Sequence, residues 1–336
     1  MTVTYDTDTL LGVLNSLDSD DTFLLDLFFP NVVTFDTSSI SFDKVDDDGR
    51  LAPYVSPLVA GKVMKSKGQV QKKFTPAYLK PKDVVDPERV LIRRAGEEVG
   101  GRMSPEQRRN AIVADILLEQ RRKIRRRLEH MAAQVLLQGK ITVSGEDYPT
   151  VEVDYERASG NTSALTLGAR WGEATATPLD DIEAWGALSE APINTLVMDR
   201  QAYRNFVKNA DVQKLLDGRR NSRSELETGP NNGRLFSYKG TLGSDIEIWV
   251  YSGYYRDESG NKVNYLPANT VIAGSAAIDG VRAFGAILDP IAGYQALEMF
   301  PKNWISEDPA AEFIMTQSAP LIIPRRPNAS IAVTVR

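Results

Sequence analysis

The chain has 336 residues, 42% hydrophobic and 25% charged, ordinary globular usage that leaves ample apolar area for a folded core and argues against wholesale disorder. It contains no cysteine, which removes disulfides, thiolate nucleophiles, iron–sulfur clusters and the usual structural zinc sites. A formal charge of −5, from 40 basic and 45 acidic residues, gives no global attraction to nucleic acid or anionic lipid, so any such contact must be local.

This length predicts two linked domains, or one domain with large extensions. No apolar run approaches the roughly 20 residues of a membrane helix, and residues 1–8 lack both a basic region and a cleavable apolar segment. A soluble protein made and used in a cytosol is the expectation, with no membrane partner.

Residues 1–50 mix short apolar clusters, such as 23–29, with Asp- and Ser-rich stretches and show no sustained period, which predicts an extended arm. Residues 51–83 read as a long hairpin, with strand-like runs at 54–64 and 70–79 around the turn signal Lys67-Gly68. Pro53, Pro57, Pro76 and Pro81 argue against a central sheet strand and favour a hairpin that projects and pairs elsewhere.

The clearest element starts at Ser104, where Ser104-Pro105-Glu106-Gln107 supplies an N-cap, a proline at the first helical position and a capping-box glutamine. It ends at Gly139, and roughly 35 residues at 1.5 Å rise span about 52 Å, a structural spine. Val113, Leu117, Ile124, Leu128, Met131 and Val135 fall in one stripe, and Arg121, Arg122, Lys123, Arg125, Arg126 and Arg127 cover the other directions. Ala132, Ala133, Leu136 and Leu137 widen the apolar face, predicting a C-terminal end clamped from several sides.

Beyond the helix, 141–143 and 150–154 read as strands joined by a turn at 145–149, and 159–177 as a linker. Pro178 opens a helix through Trp185 with Asp180 and Asp181 in its first turn, where the helix dipole favours carboxylates. The buried-strand run 193–198 followed by a helix started by Asp199 is an α/β signal. Residues 218–234 are predicted as an exposed loop, with strands at 246–251, 270–273, 284–288, 313–317 and 329–335. There is no internal repeat.

Little of this carries catalytic chemistry. His130 is the only histidine, so a paired-histidine metal site is excluded, and a partly exposed helix residue is its simplest reading. Gly61-Lys62 is followed by Val63 and Gly139-Lys140 by Ile141, so no phosphate-binding loop is present. The acidic run Asp46-Asp47-Asp48-Gly49 fails as a calcium loop, because the register would place Lys44 first and Val55 twelfth. Asp180 and Asp181 are explained by their helix start without invoking acid/base work. No catalytic, cofactor or metal residue is therefore assigned. The basic cluster 121–127 has three open readings: a solvated face, contact with backbone phosphates, or pairing with carboxylates of a neighbouring chain.

The decisive signal is a set of local strings. Phe74-Thr75-Pro76-Ala77-Tyr78-Leu79-Lys80-Pro81-Lys82 and Phe313-Ile314-Met315-Thr316-Gln317-Ser318-Ala319-Pro320-Leu321 closely resemble the lambda-type major head protein family of tailed bacteriophages, the capsid protein E family. So do 54–59, 180–184, 224–228, 237–240, 250–253 and 300–304, in the family's order from about residue 28 onward.

The resemblance implies an α+β Hong Kong 97-type fold. Its parts would be an N-terminal arm (1–50), an extended hairpin loop (51–83) and a peripheral domain (84–179) with its spine helix (104–138) on an antiparallel sheet. An axial α/β domain (180–310) would follow, with C-terminal strands (311–336) returning to the peripheral domain. It further implies a non-enzymatic capsid subunit that forms hexamers and pentamers of an icosahedral head around double-stranded DNA, assembled in the host bacterial cytoplasm. Scaffolding protein, portal, decoration protein and non-specifically contacted DNA are the implied partners.

The hairpin is expected to lie across an adjacent copy through Tyr54, Val63, Lys65, Lys67, Gly68, Phe74 and Tyr78. Some relatives of this fold cross-link through Lys and Asn, but the lambda-type group is not expected to, despite Lys65 and Lys67 near the tip. The rival readings are a cellular nanocompartment shell of the same fold, a nucleic-acid-binding protein using the basic helix, and an unrecognised hydrolase.

Overall fold

The computed structural model describes residues 5–16, 22–45, 69–92, 103–145, 148–217, 235–243, 245–307 and 311–336. Its first half contains α1 (Thr7–Ser16), α2 (Phe23–Phe28), β1 (Asn31–Phe35), β2 (Ile40–Val45), β3 (Gln69–Phe74), β4 (Lys82–Val85), α3 (Pro87–Leu91) and the long α4 (Pro105–Gln138). After α4 come the hairpin β5 (Lys140–Gly145) and β6 (Tyr148–Asp154), the short β7 (Thr162–Ala164), α5 (Pro178–Leu188), β8 (Thr195–Met198), α6 (Arg200–Lys208) and α7 (Ala210–Asp217).

Both ends of α4 are set by local chemistry. The Ser104 hydroxyl accepts from the Gln107 N–H at 3.2 Å, and the Gln107 side chain accepts from the Ser104 N–H at 2.9 Å, a reciprocal cap. At the other end Gly139 adopts the left-handed conformation, φ 70°. There the Arg157 guanidinium donates to the carbonyls of Leu136 at 2.6 Å and Leu137 at 2.7 Å. A Cβ at residue 139 would stand 2.7 Å from the Arg157 Cβ, so glycine is required by space as well as by φ. Ala132, Ala133, Val135 and Leu136 are buried, as the widened apolar face predicts.

The remaining strands are β9 (Phe236–Leu242), β10 (Ile246–Tyr251), β11 (Tyr254–Arg256), β12 (Lys262–Asn264), β13 (Thr270–Gly274), β14 (Gly280–Gly285), β15 (Phe300–Ser306), β16 (Ala311–Gln317), β17 (Pro320–Pro324) and β18 (Ser330–Thr334). A mixed six-stranded sheet runs β7-β18-β13-β8-β10-β9. Its strands alternate faces with period two: Leu196, Met198, Val271 and Ala273 meet the core under α5–α7, while Val197 and Ile272 join the main core around α4. One sheet is thus shared between two cores. Against α4 lie two three-stranded sheets, β1-β14-β17 and β15-β16-β4.

Gln120, fully buried in the α4 stripe, is held by the second of these sheets. Its amide donates to Asp83 at 2.8 Å and to the Ile314 carbonyl at 3.0 Å, and accepts from the Thr316 hydroxyl at 2.7 Å. Every polar group of that side chain is matched, which a buried amide requires.

Four expectations are corrected. The segment expected as an extended arm folds into α1 and α2, whose Leu10, Leu14, Phe23, Leu24, Leu25 and Phe28 are buried in the main core; the clusters are too short to show a period but long enough for one or two turns. The strand paired with β3 comes from that same segment, β2, in register from Ile40↔Phe74 to Val45↔Gln69. The expected partner run 54–64 lies outside the described residues. The linker-like stretch 159–177 carries β7 and the fully buried Trp171, which stacks on Trp185. Finally, β16, β17 and β18 all pack on α4, but β18 is hydrogen-bonded inside the six-stranded sheet, antiparallel to β13 and parallel to β7. Its run Ile331, Ala332, Val333 is buried on both faces and fits an interior position.

Candidate assembly surfaces

The paired strands β2 and β3 form a stem from which the chain leaves at Val45 and to which it returns at Gln69. Tyr54, Val63, Lys65, Lys67 and Gly68 belong to the intervening stretch 46–68, outside the described residues. Of the hairpin residues singled out from sequence, Phe74 and Tyr78 are described, and both act within their own chain. Phe74 packs half-buried against the main core. The Tyr78 hydroxyl donates to the Ala286 carbonyl at 2.6 Å and accepts from the Leu288 N–H at 3.0 Å. These two rings root the stem in the body of the subunit.

The basic cluster on α4 divides by environment. Arg121, half-buried, donates to the Leu14 carbonyl and so caps the C-terminal end of α1. Arg122 and Arg125 are also half-buried, the Arg125 Nε without a hydrogen-bond partner among the described residues. Lys123, Arg126 and Arg127 are exposed; Lys123 stands 3.9 Å from Asp83 and Arg126 3.6 Å from Glu119, spacings at which exposed pairs contribute little. Together with His130, Tyr255 and Arg256 these three cations line a groove of about 810 Å³ between α4 and the β11–β12 hairpin. His130 meets Tyr255 edge-on at 5.1 Å, and burial, aided by Arg127, pushes the imidazole below its ordinary pKa.

A residue the sequence reading did not single out ties the subunit together. Glu129 on α4 is 2% exposed, and its carboxylate accepts from the Leu24 N–H at 2.8 Å and the Leu25 N–H at 3.0 Å, capping the start of α2. The Tyr251 hydroxyl of β10 donates to it at 2.7 Å. Burial pushes this carboxyl above its ordinary value, against the pull of those hydrogen bonds. At the far end of α4, Arg109 forks onto Glu312 of β16 at 2.7 and 2.8 Å, and Asn303 donates to the same carboxylate at 3.1 Å. Asp180 and Asp181 do lie in the first turn of α5, where Asp181 accepts from the buried Trp171 indole at 2.8 Å. Among the described residues no cluster of three or more His, Cys, Asp or Glu could hold a metal ion.

The sequence profile of the family described as phage major capsid protein E matches residues 6–335. The chain belongs to that family. Two relatives within reach of this capsid protein are the major capsid proteins of Enterobacteria phage phi80 and Escherichia phage lambda, 37% and 36% identical over 337 residues, each match covering 98% of both chains. A crystal structure of a candidate capsid protein from a prophage of E. coli CFT073 superposes with a TM-score of 0.77 at 25% identity, covering 100% of both chains. The subunit has the Hong Kong 97-type capsid fold, with α4 as its spine helix.

Gln120 was not singled out from sequence, although it falls beside the apolar stripe of this capsid protein's spine. Nor was Glu129: at 100° per residue it falls about 120° from Leu117, among the arginines, where sequence alone predicts solvent. The α2 helix that covers it comes from a part of the chain without periodicity.

Proposed function

We propose that this capsid protein assembles as hexamers and pentamers into the icosahedral head of a tailed bacteriophage that encloses double-stranded DNA, with no catalytic role. The observation that carries this reading is family membership over residues 6–335. Assembly takes place in the host bacterial cytoplasm, with a scaffolding protein, a portal and a decoration protein as partners.

The β2–β3 stem supports the mechanical part of the reading. It is rooted by Phe74 and Tyr78 and delivers 46–68 to an adjacent copy, where Tyr54, Val63, Lys65, Lys67 and Gly68 add backbone and apolar contacts that one copy cannot make. Contacts that are individually modest and repeated let errors dissolve before closure and still hold the finished shell. Lys123, Arg126 and Arg127, which share their groove with Asp257 and Glu258, offer phosphate contact to the enclosed DNA without base readout.

Electron microscopy and sedimentation of the protein, expressed alone and with its neighbouring phage genes, test the assembly. Uniform polyhedral shells or free capsomer rings are expected. A monomer under every condition overturns the reading.

A further inference from the structure

Residues 286–296 form a loop between β14 and β15 closed by the Ala286–Ala296 bridge and a bond from the Ile287 N–H to the Gln295 carbonyl at 3.0 Å. Its inside is built with care. Asp289, 6% exposed, accepts from Lys302 Nζ at 2.9 Å, Gln317 Nε2 at 2.8 Å and the Ile291 N–H at 2.9 Å. Ile287 and Ala292 pack on Phe300 in a small core of their own. Tyr294 is held in the left-handed conformation at φ 59°, a region that non-glycine residues rarely adopt.

The outside of the loop is the reverse of what a solvated turn shows. Leu288, Ile291 and Tyr294 are 59%, 61% and 58% exposed. From 286 to 297 the single charge is Asp289, already engaged inward by Lys302. A network of buried polar bonds and a strained backbone thus hold three large apolar side chains in water. Strain of this kind persists where the surroundings over-determine it, and it clusters at sites of function.

We propose that this loop is a preformed apolar knob that docks on a second copy of the chain during shell assembly. The inference rests on the reading that copies assemble. With no cation to offer, the knob has nothing for a phosphate backbone. Three side chains are far short of the roughly 800 Å² per partner of a standard stable complex, but suit one of several contacts repeated between copies. The knob is also continuous with the hairpin stem, because the Tyr78 hydroxyl bonds both Ala286 and Leu288. Bracing the loop beforehand removes the cost of ordering it on contact.

The absence of cysteine makes the test direct. Ile291→Cys and Tyr294→Cys, made separately and checked for native circular dichroism, are labelled with a maleimide as free subunits and as shells of this chain alone. Free subunits should label readily, and labelling should be lost in shells. A companion variant, Leu288→Asp, should keep the melting temperature of the free subunit while losing shells. Shells in which both cysteines label as in free subunits overturn the inference and leave the assembly reading intact. Protection that appears only after a scaffold or decoration protein is added overturns the choice of a second copy. No shells from the unsubstituted chain under any condition removes the assembly reading and this inference with it.

Discussion

Glu129 is the residue whose neighbourhood most constrains the subunit, since one carboxylate joins α2, α4 and β10. In Glu129→Gln one oxygen becomes an amide nitrogen facing donors, and the loss should be about 1–3 kcal/mol, the cost of a buried unmatched group. Because burial raises the folded-state pKa of Glu129 above the ordinary value of 4.5, the folded chain keeps this proton where the unfolded chain has released it. The contribution to stability is therefore complete below about pH 4.5 and is lost as pH rises through the raised value. Urea unfolding at a series of pH values should show this falling component in the natural protein and its absence in Glu129→Gln. An unchanged slope would mean that Glu129 does not titrate in that range. Neither Gln120 nor Glu129 was singled out from sequence, for different reasons. Gln120 interrupts a stripe that the sequence itself defines, whereas the partners of Glu129 lie 104 to 122 positions away along the chain.

Local rules set the elements, and local signals predicted them best where caps were strongest. The spine helix was readable from Ser104 to Gly139 because both ends are written in adjacent residues. Its C-terminal clamp was not, since Arg157 returns from beyond β6; burial brings that guanidinium down to about 10. Gly139→Ala should lose about 1–2 kcal/mol from the left-handed backbone alone, and more from the displaced Arg157, read as a lowered melting temperature. The α1 and α2 helices were missed because six to ten residues are too few for periodicity to stand out, and their stability comes from docking rather than propensity. For the same reason the run 70–79 was read as a strand while the pairing of β3 with β2 was not foreseen, pairing being a tertiary choice. On the exposed face of α4, neutralising Lys123, Arg126 and Arg127 together with Gln should reduce the salt dependence of DNA binding. The slope of log K against log salt should fall by up to about 2.7, at about 0.9 per phosphate contact. An unaltered slope would place these three cations away from phosphate.

At the scale of the whole molecule the two cores are not independent, because the six-stranded sheet faces the α5–α7 core on one side and the α4 core on the other. Unfolding of the free subunit should accordingly appear as one transition by far-ultraviolet circular dichroism and tryptophan fluorescence, and two separated midpoints would contradict the shared sheet. Replacing residues 46–68 by a two-residue turn between β2 and β3 should leave that transition nearly unchanged and abolish shells, separating folding from assembly. The order of the sheet, β7-β18-β13-β8-β10-β9, has a consequence for synthesis. Its strand β18 emerges from the ribosome after all the others, yet it lies between β7 and β13. A nascent chain halted before Ser330 therefore leaves β7 and β13 without the strand that joins them. The register between β7 and β13 is thus set only once Ser330–Thr334 is in place between them.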